Sequence, residues 1–219
     1  MPLRRHAVDR PDGGRVSVDY ADDEVTREVG ESIYFFCTQK STPEYRDSFL
    51  LPAKNTTNNC MHFGGTLGLK KSIEPPPRRL PPDAPVLGIL HTITGSSKQQ
   101  AGFMRYAAER GWRSCVLNRR GHSGMPLRVP SFSILGNIDD TVAMVADIRQ
   151  SHPDSFVALA GISAGSGQVV SYIGREGSGT PVGAAASLCP AWDIRKSWHL
   201  LRDLYPRMDR FILNSVQKH

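Results

Sequence analysis

FVALAGISAGSGQVVSYIG, from Phe156 to Gly174, is the stretch whose reading decides the fold. An apolar run, Phe156 to Ala160, meets Gly161-Ile162-Ser163-Ala164-Gly165 and passes directly into helical spacing. A serine set among glycines and alanines at the end of a buried strand has two readings. It belongs either to a nucleotide-phosphate cradle or to a nucleophile held on a tight turn.

The cradle makes demands that the surrounding residues do not meet. GISAGSG does fit G-x-x-x-G-x-G, the pattern that brings backbone close to a pyrophosphate at a helix N-terminus. Such a cradle follows the first strand of its fold, whereas three or more rhythmic strands precede this one. An acidic ribose-binding residue is due about 20 positions on, where Pro181-Val182-Gly183 stands. The Tyr-x-x-x-Lys of short-chain dehydrogenases is missing too, since Glu176 follows Tyr172 and Asp209 follows Tyr205 at that spacing. A phosphate-binding P-loop fails because no Gly-Lys-Ser/Thr is present.

The tight turn explains more. G-x-S-x-G between strand and helix forces the serine into a strained conformation that lifts its hydroxyl above the sheet edge. Gly161 and Gly165 flank it because side chains there would collide with the neighbouring strand and helix. The amide after Ser163 then faces an incoming carbonyl oxygen. A chance pentapeptide in a glycine-rich turn is the bland alternative, and the rhythm on either side counts against it.

Working outward, strands and helices alternate from Val86 onward. VLGIL (86–90) and RSCVLN (113–118) are buried-strand runs, separated by helical spacing from Lys98 to Arg110 that Gly111 ends. Asn137 opens a helix with Asp139 and Asp140 in its first turn and an apolar face of Ile138, Val142, Val145 and Ile148, stopped at Pro153. FVALA (156–160), a helix from the Ser163 turn to Arg175, and VGAAASLC (182–189) continue the rhythm. Ser197 to Lys218 is a more polar helical stretch broken at Pro206. Near-continuous apolar strands alternating with helices predict an α/β fold, a doubly wound and mostly parallel sheet covered on both faces.

The first third is quieter. VSVDY (16–20) and IYFFC (33–37) read as short strands, and the Pro-, Asn- and Gly-rich residues from 38 to 85 read as an irregular insertion. The expected organisation is therefore 1–37 N-terminal strands, 38–85 insertion, 86–196 core, and 197–219 the start of a helical cap.

The net charge of +6 is spread over scattered arginines, and no basic face with interleaved aromatics points to nucleic acid. No run of about 18 apolar residues predicts a membrane span, and the N-terminus lacks the apolar region of a secretory signal. Cys37, Cys60, Cys115 and Cys189 form no CxxC pair. With Cys115 and Cys189 inside apolar runs, they read as reduced, buried thiols rather than a disulfide frame or metal site. The expectation is a cytoplasmic chain, with peripheral membrane contact left open and no cofactor or metal.

Two further segments support the turn. HTITGSS (91–97) follows the VLGIL strand where a second oxyanion donor belongs, and RRGHSG (119–124) is a basic, glycine-rich loop after the next strand. Taken in order, PVLGILHTITGSS, ERGWRSCVLNRRGHSG, NIDDTVAMVADIRQ, LAGISAGSGQVVSYIGREG and PVGAAASLCPAWDI, with DGGRVSVDY earlier, resemble one family. It is the branch of the α/β-hydrolase superfamily that holds the YheT-type esterases and the ABHD1/ABHD3-like lipid hydrolases (AB hydrolase 4). The resemblance runs from about Pro85 to the C-terminus, plus Asp12 to Tyr20.

That resemblance implies a serine esterase or lipase acting on carboxylic esters, with acyl lipids or monoacylglycerol-like molecules as substrates. Ser163 is then the nucleophile, and the amides of Ala164 and Ile93 form the oxyanion hole. Two departures stand out. The family usually has Gly where Thr92 stands, and the triad acid and base, due on loops after two further strands, have few residues left to supply them. Asp193 is the alternative acid, its other reading being a cap on the next helix. His199 lies close behind it, His219 is terminal, and His91 and His122 read chiefly as pocket walls. The family's strand order, 1-2-4-3-5-6-7-8, would keep the Ser163 strand central with the last two strands missing. The chain accordingly reads as C-terminally incomplete. A catalytically inactive scaffold that binds an acyl ligand or a protein partner is the alternative function.

Overall fold

A computed structural model describes residues 3–21, 79–133 and 136–217. The anticipated strand IYFFC, most of the anticipated insertion, Cys37, Cys60 and His219 lie outside the described residues.

The chain opens with a hairpin of β1 (Leu3–Asp9) and β2 (Arg15–Ala21). Its turn is built by DGG: Gly13 takes φ +82°, and the Asp12 carboxylate accepts the Gly14 amide at 3.0 Å. Only β2 carries an apolar signature. β1, LRRHAVD, sits at the sheet edge with exposed and half-buried residues, so its strand character comes from pairing with β2 and not from its own pattern.

The rhythmic part follows as anticipated in kind. It comprises β3 (Val86–Leu90), a 3-10 turn (Ser97–Gln100) leading into α1 (Ala101–Ala108), β4 (Arg113–Asn118), α2 (Asp139–Ser151) and β5 (Val157–Ile162). Then come α3 (Ala164–Glu176), β6 (Ala184–Leu188), α4 (Ile194–Leu204) and α5 (Pro206–Val216). Gly111, at φ +77°, ends the α1 segment, and Pro206 sits in the first turn of α5, where its missing N–H is no loss.

The sheet order is β1-β2-β4-β3-β5-β6, by count the order expected for the family's first six strands, but with LRRHAVD as the first strand and VSVDY, expected to open the sheet, as the second. β2 runs antiparallel to both β1 and β4, whereas β4, β3, β5 and β6 are mutually parallel. The register sets Leu90 of β3 beside Gly161 of β5, so the loops that leave the two strands start side by side.

Both faces of the central strands are covered. Val16, Val18, Leu90, Leu117 and Leu159 pack with Met144, Val145 and Ile148 of α2 and with Val169 and Tyr172 of α3. On the opposite face Ile89 and Val116 meet Met104 of α1. The anticipated face of α2 needs one correction. Asp140, Thr141, Met144, Val145 and Ile148 are buried and Val142 is turned outward. Asp140 is buried because Arg120 pairs with it at 2.7 Å through two hydrogen bonds, and apolar spacing does not register a buried carboxylate. Phe156 is likewise outside β5 and half exposed, against the edge of Trp112.

β6 pairs on one side with β5 and most of its side chains are exposed. α4 and α5 are amphipathic and expose Trp198, Leu204 and Phe211. No described helix is long and apolar enough to cross a membrane.

Candidate active site

β5 delivers the chain to Ser163, and α3 begins at the next residue. Ser163 has φ +54° and ψ −113° and is exposed. A β-carbon-bearing residue takes such a conformation only when its surroundings over-determine it. Those surroundings are visible. The Ser163 amide donates to the Leu188 carbonyl of β6 at 2.9 Å, and its carbonyl accepts the Ser166 amide at 2.9 Å and the Ser166 hydroxyl.

The flanking glycines are required by contact. A β-carbon on Gly161 would strike the Gly165 carbonyl and come within 2.6 Å of the Ser166 α-carbon. One on Gly165 would strike the Leu90 carbonyl and lie 2.8 Å from that of His91. The start of α3 is thus pressed onto the end of β3. Ala164, first in α3, has an N–H that the helix itself does not use, and the positive end of the helix lies there.

The loop 91–95, HTITG, leaves β3 next to this bend, and its carbonyls are held from the loop that follows β4. Arg119 donates to the His91 carbonyl at 3.0 Å and to the Thr92 carbonyl. His122 Nε2 lies 2.8 Å from the Ile93 carbonyl and its Nδ1 2.9 Å from that of Arg120. In a trans peptide the N–H points opposite to the C=O of the same unit. The Ile93 N–H is therefore fixed in the direction away from Arg119, because the Thr92 carbonyl is bound to Arg119. Gly95 completes the loop; a β-carbon there would lie 2.9 Å from the His91 ring.

The remaining candidates are placed as follows. Asp193 caps α4, accepting the Lys196 amide at 2.9 Å, with the Lys196 ammonium at 3.7 Å. His199 is exposed on α4 with Nδ1 3.2 Å from Arg202. His91 and His122 are fully buried, with ring centroids 5.2 Å apart, and act on the loop from beneath. Cys115 is buried, and burial pushes its thiol up. Cys189, expected to be buried, is exposed just after β6 at φ +55°; β6 is a sheet edge, so the apolar run around it has no cover. Among the described residues no His, Cys, Asp or Glu cluster is arranged to hold a metal ion.

Sequence reasoning missed Arg119, Gln168 and Ser133. Arg119 is 1% exposed and also donates to Gln168 Oε1 at 3.1 Å, and the Gln168 amide faces Ser133 at 3.4 Å. RRGHSG is basic, but which arginine turns inward depends on where β4 ends.

The site presents an exposed serine hydroxyl at the start of α3, next to the loop that leaves β3. Comparison with known proteins finds relatives over this part of the chain. Phospholipase ABHD3 of Mus musculus is 32% identical over 111 residues, covering 50% of this chain and 27% of its own length. Medium-chain fatty acid ethyl ester synthase/esterase 2 of Saccharomyces cerevisiae is 32% identical over 117 residues, covering 51% of this chain and 26% of its own. The chain spans about a quarter of the length of these curated relatives. Among solved structures, the Pyrococcus furiosus esterase Pf2001 superimposes with a TM-score of 0.54 at 13% identity, over 98% of this chain and 66% of that one, a likeness of fold. The family model for the alpha/beta hydrolase fold matches residues 85–218. That match takes in β3 through α5, including the Ser163 bend and the 91–95 loop, and the chain belongs to the alpha/beta hydrolase fold family.

Proposed function

We propose that the chain carries the nucleophile and oxyanion hole of a carboxylic ester hydrolase, with Ser163 as nucleophile. The observation that carries this reading is the exposed, positive-φ Ser163, wedged between two glycines that cannot be anything else. Ser163 Oγ attacks the ester carbonyl carbon while its proton passes to the triad histidine that the family resemblance implies. The negative charge that forms on the carbonyl oxygen accepts hydrogen bonds from the Ala164 and Ile93 amides. The C–O bond then breaks, the alcohol leaves with the proton, and water hydrolyses the acyl-serine by the same steps. One such donor typically contributes a factor of about 10²–10³ in rate. Asp193 enters as the alternative acid; taking that part means giving up the Lys196 amide it now caps.

Acyl lipids or monoacylglycerol-like esters suit the reading. The matched relatives are named as a phospholipase and as an ester synthase and esterase of medium-chain acyl groups. Exposed Trp198 and Phe211, interspersed with Arg195, Arg202 and Arg210 on α4 and α5, are of the kind that meets an anionic lipid surface. Contact at a membrane surface in the cytoplasm is part of the same proposal.

The test is covalent labelling with a fluorophosphonate probe, alongside turnover of p-nitrophenyl esters of increasing acyl length. Labelling with weak or absent turnover is expected for the chain, because the triad base has few residues to supply it, and labelling is lost in Ser163→Ala at equal thermal stability. Equal labelling of both proteins removes Ser163 from the role. A folded chain that binds a medium-chain acyl ligand but neither labels nor turns over ester establishes the inactive scaffold instead.

A further inference from the structure

Arg119 is a buried cation held mainly by carbonyl groups. It is 1% exposed, no carboxylate among the described residues faces it, and burial pulls its pKa down to about 10. The groups that hold it are the His91 and Thr92 carbonyls, His91 Nδ1 at 3.1 Å, and Gln168 Oε1, with no carboxylate among them. Taking a charge out of water without pairing it is costly. A neutral amide side chain could hold one carbonyl without that cost. What the guanidinium adds is a planar fork, able to grip two successive carbonyls and a third group at once, and a positive charge.

Where the fork is placed matters more than its strength. His91 and Thr92 belong to the loop that presents the Ile93 amide, and Gln168 lies on α3, whose first amide is that of Ala164. One side chain therefore ties together the two elements that carry the two oxyanion amides. His122 adds the third carbonyl of the loop, that of Ile93, so three consecutive carbonyls are held by residues of the loop after β4. The amide of each of these peptide units points opposite to its held carbonyl.

We infer that Arg119 is a positioning residue of the ester hydrolase reaction: it fixes the Ile93 peptide against α3 and places its own charge behind the amides that receive the oxyanion. This rests on the hydrolase reading above and deepens it. Because the fork acts through amides that matter only when the carbonyl oxygen becomes an anion, its loss affects the transition state and not substrate binding.

The experiment compares the full chain with Arg119→Gln, Arg119→Lys and Arg119→Ala. It measures fluorophosphonate labelling rate, kcat and KM for a short p-nitrophenyl ester, and affinity for an alkyl boronic acid that mimics the tetrahedral intermediate. The expected result for Arg119→Gln is a fall of about 10²-fold in kcat and labelling rate, a parallel loss of boronic acid affinity, and an unchanged KM. Arg119→Lys keeps a charge but grips one carbonyl, and should fall by about 10-fold. Added guanidinium ion at low concentration should restore part of the rate to Arg119→Ala.

Folded Arg119→Gln that labels as fast as the parent, in a chain whose Ser163→Ala does not label, overturns the inference and leaves the hydrolase reading intact. If Arg119→Gln and Arg119→Ala do not fold, Arg119→Lys decides by the same readouts, and an unchanged rate overturns the inference. A KM rise with kcat unchanged also overturns it, since that is the signature of a general loss of pocket shape. If the parent itself neither labels nor turns over ester, the hydrolase reading has failed and this inference with it.

Discussion

Gly165 holds a hydrogen where any other residue would place a methyl against the Leu90 and His91 carbonyls. Backbone atoms cannot swing aside as the end of a long side chain can, so Gly165→Ala has to push α3 off the end of β3. The expected cost is about 3 kcal/mol, read as a drop in urea midpoint, together with loss of Ser163 labelling. At Gly111, where the space is open and the positive φ alone is unfavourable, alanine should cost about 1 kcal/mol and leave labelling unchanged. The contrast separates glycines needed for close approach from those needed for a turn. Glycine content did not separate them in advance, but the G-x-S-x-G spacing did identify Gly161 and Gly165.

Among elements, α2 shows how a buried ion pair orders three separate parts of the chain. Asp140, fully buried at the start of α2, accepts two hydrogen bonds from Arg120 in the loop after β4, and Arg120 also reaches Asp12 in the hairpin turn at 2.5 Å. Both carboxylates raise the already high Arg120 pKa. Asp140→Ala leaves a buried guanidinium with one exposed partner, and is expected to cost about 3–5 kcal/mol by equilibrium urea unfolding. Asp12→Ala removes the exposed partner and should cost much less. The acidic first turn of α2 was legible as a helix start. That one of its aspartates faces inward was not, because Arg120 is 20 residues away and only the return of β4 brings it there.

For the whole molecule, acid stability reports on how β1 is tied to the rest of the sheet. Burial pushes the Asp19 carboxyl up, but hydrogen bonds from Arg5, Ser97 and Asn118 outweigh it and hold the group below the ordinary aspartate range. Arg5 on β1 meets it with two bonds, of 2.6 and 2.7 Å. A carboxyl with a lowered native pKa binds its proton more readily when unfolded. Its contribution is therefore complete above the ordinary aspartate value near 4 and is lost as pH falls through the lowered native value. Urea midpoints measured from about pH 7 to about pH 3 should decline at the acid end. Asp19→Asn should reduce stability at neutral pH by about 2 kcal/mol and flatten that decline. A wild-type slope unchanged by the substitution would mean that other carboxylates govern acid unfolding.

The sequence by itself determined the alternation of strand and helix from Val86 onward, the parallel sheet, and the bend at Ser163. Those features rest on local signals: apolar runs of strand length, helical spacing, and glycines at fixed offsets from a serine. Tertiary structure decided the rest. It made a strand of LRRHAVD, because an edge strand gains its order from a partner. It turned Val142 outward and Asp140 inward, because a buried charge follows its counter-charge and not the apolar period. It also placed Arg119, and not its neighbour Arg120, against the carbonyls of the 91–95 loop, because only the three-dimensional path of the loop after β4 shows which carbonyls each one meets.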